Sequence, residues 1–236
     1  MSRGSERKAC VYCLDTRALR PDQILLRGER FYVAAPRGQL VEGYLAIAPY
    51  DCLGSLSLMA RQDLDEVTRL QSVCARFYRD VYRVRAPLFY EQGRGGGGAT
   101  VDPDGDFPIH AHLCGLPLRL ELHGYLAERY DARPVSGFHG LREAVAGNPY
   151  IYADCGTGSS RRACAYVART PADRADLERS RVKPMVAHLI GLADRGDWRT
   201  YPGDRELGRL IQRFADWRKS EGSRAECLPP LQRQPP

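Results

Sequence analysis

The stretch Phe107-Pro-Ile-His110-Ala-His112-Leu-Cys114-Gly-Leu-Pro-Leu118 decides how this chain is read. Its apolar character and short length predict a strand. Alternate strand residues share a face, so His110, His112 and Cys114 are expected to point one way while Ala111 and Leu113 pack behind them. Two residues at roughly 3.3 Å each set the imidazoles about 7 Å apart. That spacing suits a metal ligand beside a chemically available imidazole.

The rest of the chain supplies a setting for such a strand. Upstream, Ile24–Leu26 and Phe31–Ala35 flank Arg-Gly-Glu as in a hairpin, and Glu42–Pro49 reads as a strand closed by proline. Leu64, Val67, Leu70, Val73, Cys74, Phe77, Tyr78 and Val81 recur in steps of three and four, which predicts a helix over Asp63–Arg83. Pro87–Gln92 reads as another strand, followed by a glycine-rich loop from Gly93 to Gly98 that runs on to Asp106. Downstream, helices are expected over Leu118–Tyr130, Gly137–Ala146, Asp173–Ala193 and Asp204–Ser220, with Asp173 and Asp204 as N-caps. A hairpin is expected from Tyr150–Asp154 and Ala163–Arg169 around Gly156-Thr-Gly158. Hairpin-linked strands around one long helix define an antiparallel α+β fold with a C-terminal strand and helix extension. The expected division is a core over 8–135, an extension over 136–220 packed on it, and disordered tails at 1–7 and 221–236.

Composition narrows the function. The chain has 236 residues, 43% hydrophobic and 27% charged, enough for one substantial core. A net charge of +6 suits an anionic small ligand. It is too scattered to argue for a nucleic-acid surface, so nucleic acid is an unlikely partner on this reading. No stretch reaches the ~18 apolar residues of a membrane helix, and the first eight residues are polar. A cytoplasmic location follows as the expectation, in which eight cysteines point to metal or catalysis rather than to disulfides.

Cys10-Val-Tyr-Cys13 is a CxxC pair that needs two more ligands to make a metal site. Together with His110-Ala-His112-Leu-Cys114 and Pro49-Tyr-Asp-Cys52-Leu-Gly-Ser55-Leu56, it resembles the histidine-triad (HIT) superfamily of nucleotidyl hydrolases and transferases. The family pattern is His-φ-His-φ-His, with Gln at the third position in the transferase branch; this chain carries Cys114 there. The resemblance implies a HIT-like antiparallel sheet over roughly residues 8–120. It implies a structural Zn²⁺ held by Cys10, Cys13, Cys52 and His110, with Cys52 replacing the family's histidine. It implies that His112 attacks an α-phosphate to form a covalent nucleotidyl-histidine, with Cys114 at the assisting position. Tyr90-Glu91-Gln92-Gly93 resembles the acidic-Gly segment before the triad, and Glu91, Gly93 and Arg94 are the expected phosphate contacts. The implied partner is a small-molecule nucleotide or nucleotide conjugate, and a homodimer is implied by analogy. Cys114 keeps a second reading open, a nucleotide-binding protein of HIT fold without catalysis.

Overall fold

In the structure, a computed structural model, residues 10–95, 110–155, 162–179 and 181–222 are described. The expected tail at 1–7, most of the expected tail at 221–236, most of the glycine-rich loop, the turn at Gly156–Gly158 and residues Phe107–Ile109 lie outside the described residues, while Glu221 and Gly222 end the last helix. The chain forms one mixed α+β sheet structure. Its strands are β1 (Ile24–Arg27), β2 (Phe31–Ala34), β3 (Leu45–Pro49), β4 (Leu88–Gly93), β5 (Leu113–Leu116), β6 (Asp131–Val135), β7 (Tyr150–Cys155) and β8 (Arg162–Val167). They lie in the order β1-β2-β3-β5-β4-β7-β8-β6, and every neighbouring pair is antiparallel. The β4–β7 pairing, from Phe89 opposite Asp154 to Gly93 opposite Tyr150, makes the later hairpin continuous with the earlier strands.

The helices are α1 (Arg61–Val81), α2 (His123–Arg129), α3 (Leu141–Val145), α4 (Pro171–Arg179), α5 (Val182–Leu189) and α6 (Asp204–Gly222). One face of the sheet packs Phe31, Val33, Ile47, Phe89 and Tyr150 against α1, α3 and α6. The other face carries Tyr90, Cys114, Leu116 and Tyr166 under α2 and α5, with Tyr32, Ala34 and Ala46 under the segment from Cys10 to Leu14. The period-2 alternation of side chains thus gives one sheet two buried faces.

Several elements differ from expectation for identifiable reasons. The strand of the His-x-His stretch begins only at Leu113; His110, Ala111 and His112 precede it as irregular chain. The expected helix over Leu118–Tyr130 shrinks to α2, followed at once by β6, which reads as polar and contains Pro134. β6 is an edge strand, where a proline costs no ladder bond on its open side. The long helix over Asp173–Ala193 divides into α4 and α5, since Pro184 in the first turn of α5 cannot continue a helix from upstream. Asp173 is not an N-cap. Thr170 is, through a reciprocal pair in which Asp173 N–H donates to Thr170 Oγ1 (3.1 Å) and Thr170 N–H donates to Asp173 Oδ2 (3.0 Å).

Candidate metal centre and the adjoining cavity

His110 lies where the end of β3, the loop after it and the N-terminal segment converge. Its Nε2–H donates to the Pro49 carbonyl at 2.9 Å, since a carbonyl can only accept. Nδ1 is left with its lone pair toward Cys10 Sγ at 3.4 Å and Cys13 Sγ at 3.6 Å. Cys52 completes the group: one ligand atom from each of Cys10, Cys13, Cys52 and His110 lies within 4.8 Å of all the others. These four residues can hold a metal ion. The carbonyl bond to the far ring nitrogen is the outer support that fixes a ligating imidazole in one tautomer. The donors come from separate parts of the chain, so an ion here would clasp the N-terminal segment to the sheet.

The thiols are poised unequally. Burial would raise Cys10, but an imidazolium at His110, protonated on Nδ1 as well, would outweigh that and bring Cys10 down to about 6. Cys13 is pushed well up by burial and by its two cysteine neighbours, and Cys52 is raised chiefly by burial. Crowded thiols with one easily formed thiolate are chemically suited to a cation, which neutralises the charge that burial opposes.

Two residues on, His112 faces a different space. Its Nδ1–H donates to the His110 carbonyl at 2.8 Å, leaving Nε2 as an acceptor. Its ring stacks on Tyr12, with centroids 4.3 Å apart and planes 26° from parallel. Burial lowers its pKa and keeps it neutral near pH 7. His112 and Cys114 both line a cavity of about 480 Å³. Cys114 Sγ sits 3.2 Å from the Tyr44 hydroxyl, and burial pushes its thiol up to about 11.

The cavity wall is aromatic and basic. Tyr12, Tyr44, Tyr90 and Trp198 supply rings, and Arg37, Arg94, Arg181, Lys183 and Arg199 supply cations against the single acid Asp197. Of the expected phosphate contacts, the structure brings Arg94 to this wall, where its guanidinium donates to the carbonyls of Leu177 (3.1 Å) and Glu178. It sets Glu91 and Gly93 on the other face of β4. Glu91 is buried there, accepting from Leu56 N–H at 2.7 Å and from the Tyr150 hydroxyl at 2.7 Å. Gly93 lies so close beneath the Tyr150 ring that an added Cβ would stand 2.2 Å from it. The alternation along one strand explains this: Tyr90 and Gln92 face the cavity, so Glu91 and Gly93 cannot. Lys183, Trp198, Tyr44 and Tyr90 carry no signature of a site residue in the sequence, whereas Arg94, His112 and Cys114 do.

Residues 2–95, less than half of the chain, match the family described as proteins similar to the CwfJ C-terminal region. The zinc finger CCCH domain-containing protein 64 of Arabidopsis thaliana is 31% identical over 72 residues, which are 30% of this chain. The match covers 12% of that relative's length. The matched family segment contains Cys10, Cys13 and Cys52. These findings overturn the histidine-triad assignment. With it go the nucleotidyl hydrolase or transferase activity, its non-catalytic nucleotide-binding variant and the exclusion of nucleic acid as a partner. The third position accords with that correction, because a buried thiol held protonated up to about 11 is poorly suited to assist a leaving group. Among the described residues no helix is long and apolar enough to cross a membrane.

Proposed function

We propose that this chain is an RNA-associated module, in which a zinc-clasped sheet presents a cavity for single-stranded RNA. The observation that carries the reading is the cavity wall, four aromatic side chains interleaved with five cations. Single strands are held by this combination, since every base offers a π-face and every phosphate a charge. Trp198 and Tyr12 are the candidate stacking surfaces. The unprotonated Nε2 of His112 supplies an acceptor suited to a ribose 2′-hydroxyl, the group that separates RNA from DNA. The matches to CwfJ C-terminal-like proteins and to a CCCH zinc finger protein favour this reading over a small-molecule enzyme.

We infer that the ion at Cys10, Cys13, Cys52 and His110 is zinc. Bonds of about 2.3 Å to sulfur and 2.0–2.1 Å to nitrogen give a tetrahedral S···N edge of about 3.6 Å. The two S···N distances, 3.4 and 3.6 Å, fit that edge. A closed Cys₃His sphere has a structural role, without an open coordination position for chemistry.

The test is binding of a short single-stranded RNA to the full chain, followed by fluorescence anisotropy across a salt series. With three phosphates held, log K should fall with log salt at a slope of about −2. Trp198→Ala should weaken binding by about tenfold, the loss of one stacked base. Absence of binding, or binding indifferent to both salt and Trp198, would overturn the reading.

A further inference from the structure

The cavity has a wet rim and a dry end. Arg37 and Arg199 at the rim are exposed, whereas Tyr44, Tyr90 and Cys114 are only 4%, 3% and 3% exposed. At the dry end the Tyr90 hydroxyl is buried with the Cys114 thiol and the Tyr44 hydroxyl beside it, and it makes no well-formed hydrogen bond among the described residues. A buried hydroxyl without a well-formed hydrogen bond is costly unless a ligand or water satisfies it. Lys183, from the first turn of α5, brings its amine to the same cavity, 5.3 Å from the centre of the Tyr44 ring. No carboxylate makes an ion pair with it among the described residues; Asp197, the one acid on the wall, pairs with Arg199 at 3.5 Å and acts on the amine from farther off. Space for the amine is reserved by Gly38, whose φ is +75° and where an added Cβ would stand 2.4 Å from Lys183 Nζ. Burial pulls the Lys183 amine down to about 8, so a bound anion would restore the charge that burial opposes.

We propose that Lys183 and the Tyr90 hydroxyl form a subsite for the terminal phosphomonoester of an RNA strand, an inference that rests on the RNA reading above. A cation beside a hydroxyl donor fits phosphate oxygens. The closed end favours a terminal group over an internal phosphodiester, whose chain must continue on both sides. Tyr90 lies inside the segment matched to the CwfJ-like family and Lys183 outside it, so the subsite joins that segment to the later part of this chain.

The experiment compares one RNA sequence bearing a 5′-phosphate, a 3′-phosphate or hydroxyls at both ends, with inorganic phosphate as a competitor. One phosphorylated end should bind at least about tenfold tighter than the hydroxyl-ended strand. That ratio should fall toward one in Lys183→Met and drop several-fold in Tyr90→Phe, with melting curves establishing that both variants fold. Equal binding of all three strands by the wild-type chain would overturn the subsite and leave the RNA reading standing. If no strand binds, while inorganic phosphate stabilises the wild-type chain and not Lys183→Met, the RNA assignment fails and the terminal-phosphate proposal with it.

Discussion

Cys52 is the most accessible of the four metal donors, and its sulfur is a discriminating place to test the clasp. In Cys52→Ala the ion would lose one of four ligands with little loss of packing, because the side chain is exposed. Elemental analysis should show zinc reduced well below one per chain, and the melting temperature should fall by about 10 °C, the equivalent of roughly 3–4 kcal/mol in a domain of this size. Glu91 offers a second residue-level test. Burial raises its carboxyl to about 7 from an ordinary 4.5. The folded chain therefore holds this proton more tightly than the unfolded chain does. The stability tied to it is present below pH 4.5 and is lost as pH rises through 7. Relative to the wild type, Glu91→Gln should gain up to about 3 kcal/mol between pH 5 and pH 8 in urea titrations. A difference that stays constant across that range would refute the assignment. Cys10 and Cys13 were legible as a CxxC pair, whereas Cys52 and His110 were named through the histidine-triad resemblance; the four do come together. Tyr90 and Lys183 were not legible, since a tyrosine in an apolar strand and a lysine on a helix have no local signature of a shared cavity.

At the level of elements, the β1–β2 turn depends on a side chain from a helix. Glu66 on α1 accepts from Glu29 N–H at 2.8 Å and from Arg30 N–H at 2.9 Å, and it is buried. Gly28 makes this approach feasible, because an added Cβ would stand 1.8 Å from Glu66 Oε1. Glu66→Ala leaves two turn amides without their acceptor and should cost about 2–3 kcal/mol, measured by chemical denaturation. A cost within 0.5 kcal/mol would mean that water replaces the carboxylate freely. This turn also shows what sequence could convey. The hairpin was legible from two apolar runs around a glycine, and α1 from its 3.6-residue periodicity. The contact joining them was not, because it links positions 37 residues apart. β6 escaped notice for a different reason: its burial alternates only between half-buried and exposed, so an edge strand carrying Pro134 leaves no apolar pattern to read.

For the whole molecule, the candidate metal site and the cavity are one construction. Tyr12 lies between two cysteines of the candidate metal site, its carbonyl accepts the Tyr32 hydroxyl, and its ring covers His112 at the cavity wall. A strong chelator should therefore lower thermal stability and RNA affinity together, with both recovering on stoichiometric zinc. Loss of stability with unchanged RNA affinity would separate the clasp from the cavity. The distance in sequence between the donors has a further consequence. His110 follows Cys10 by 100 residues. At about 5–20 residues per second, a ribosome releases the two early cysteines roughly 5–20 s before their histidine exists. During that interval the nascent chain carries a ready chelating pair with no means of closing it, so newborn protein is the form most open to oxidants and to capture of the wrong ion.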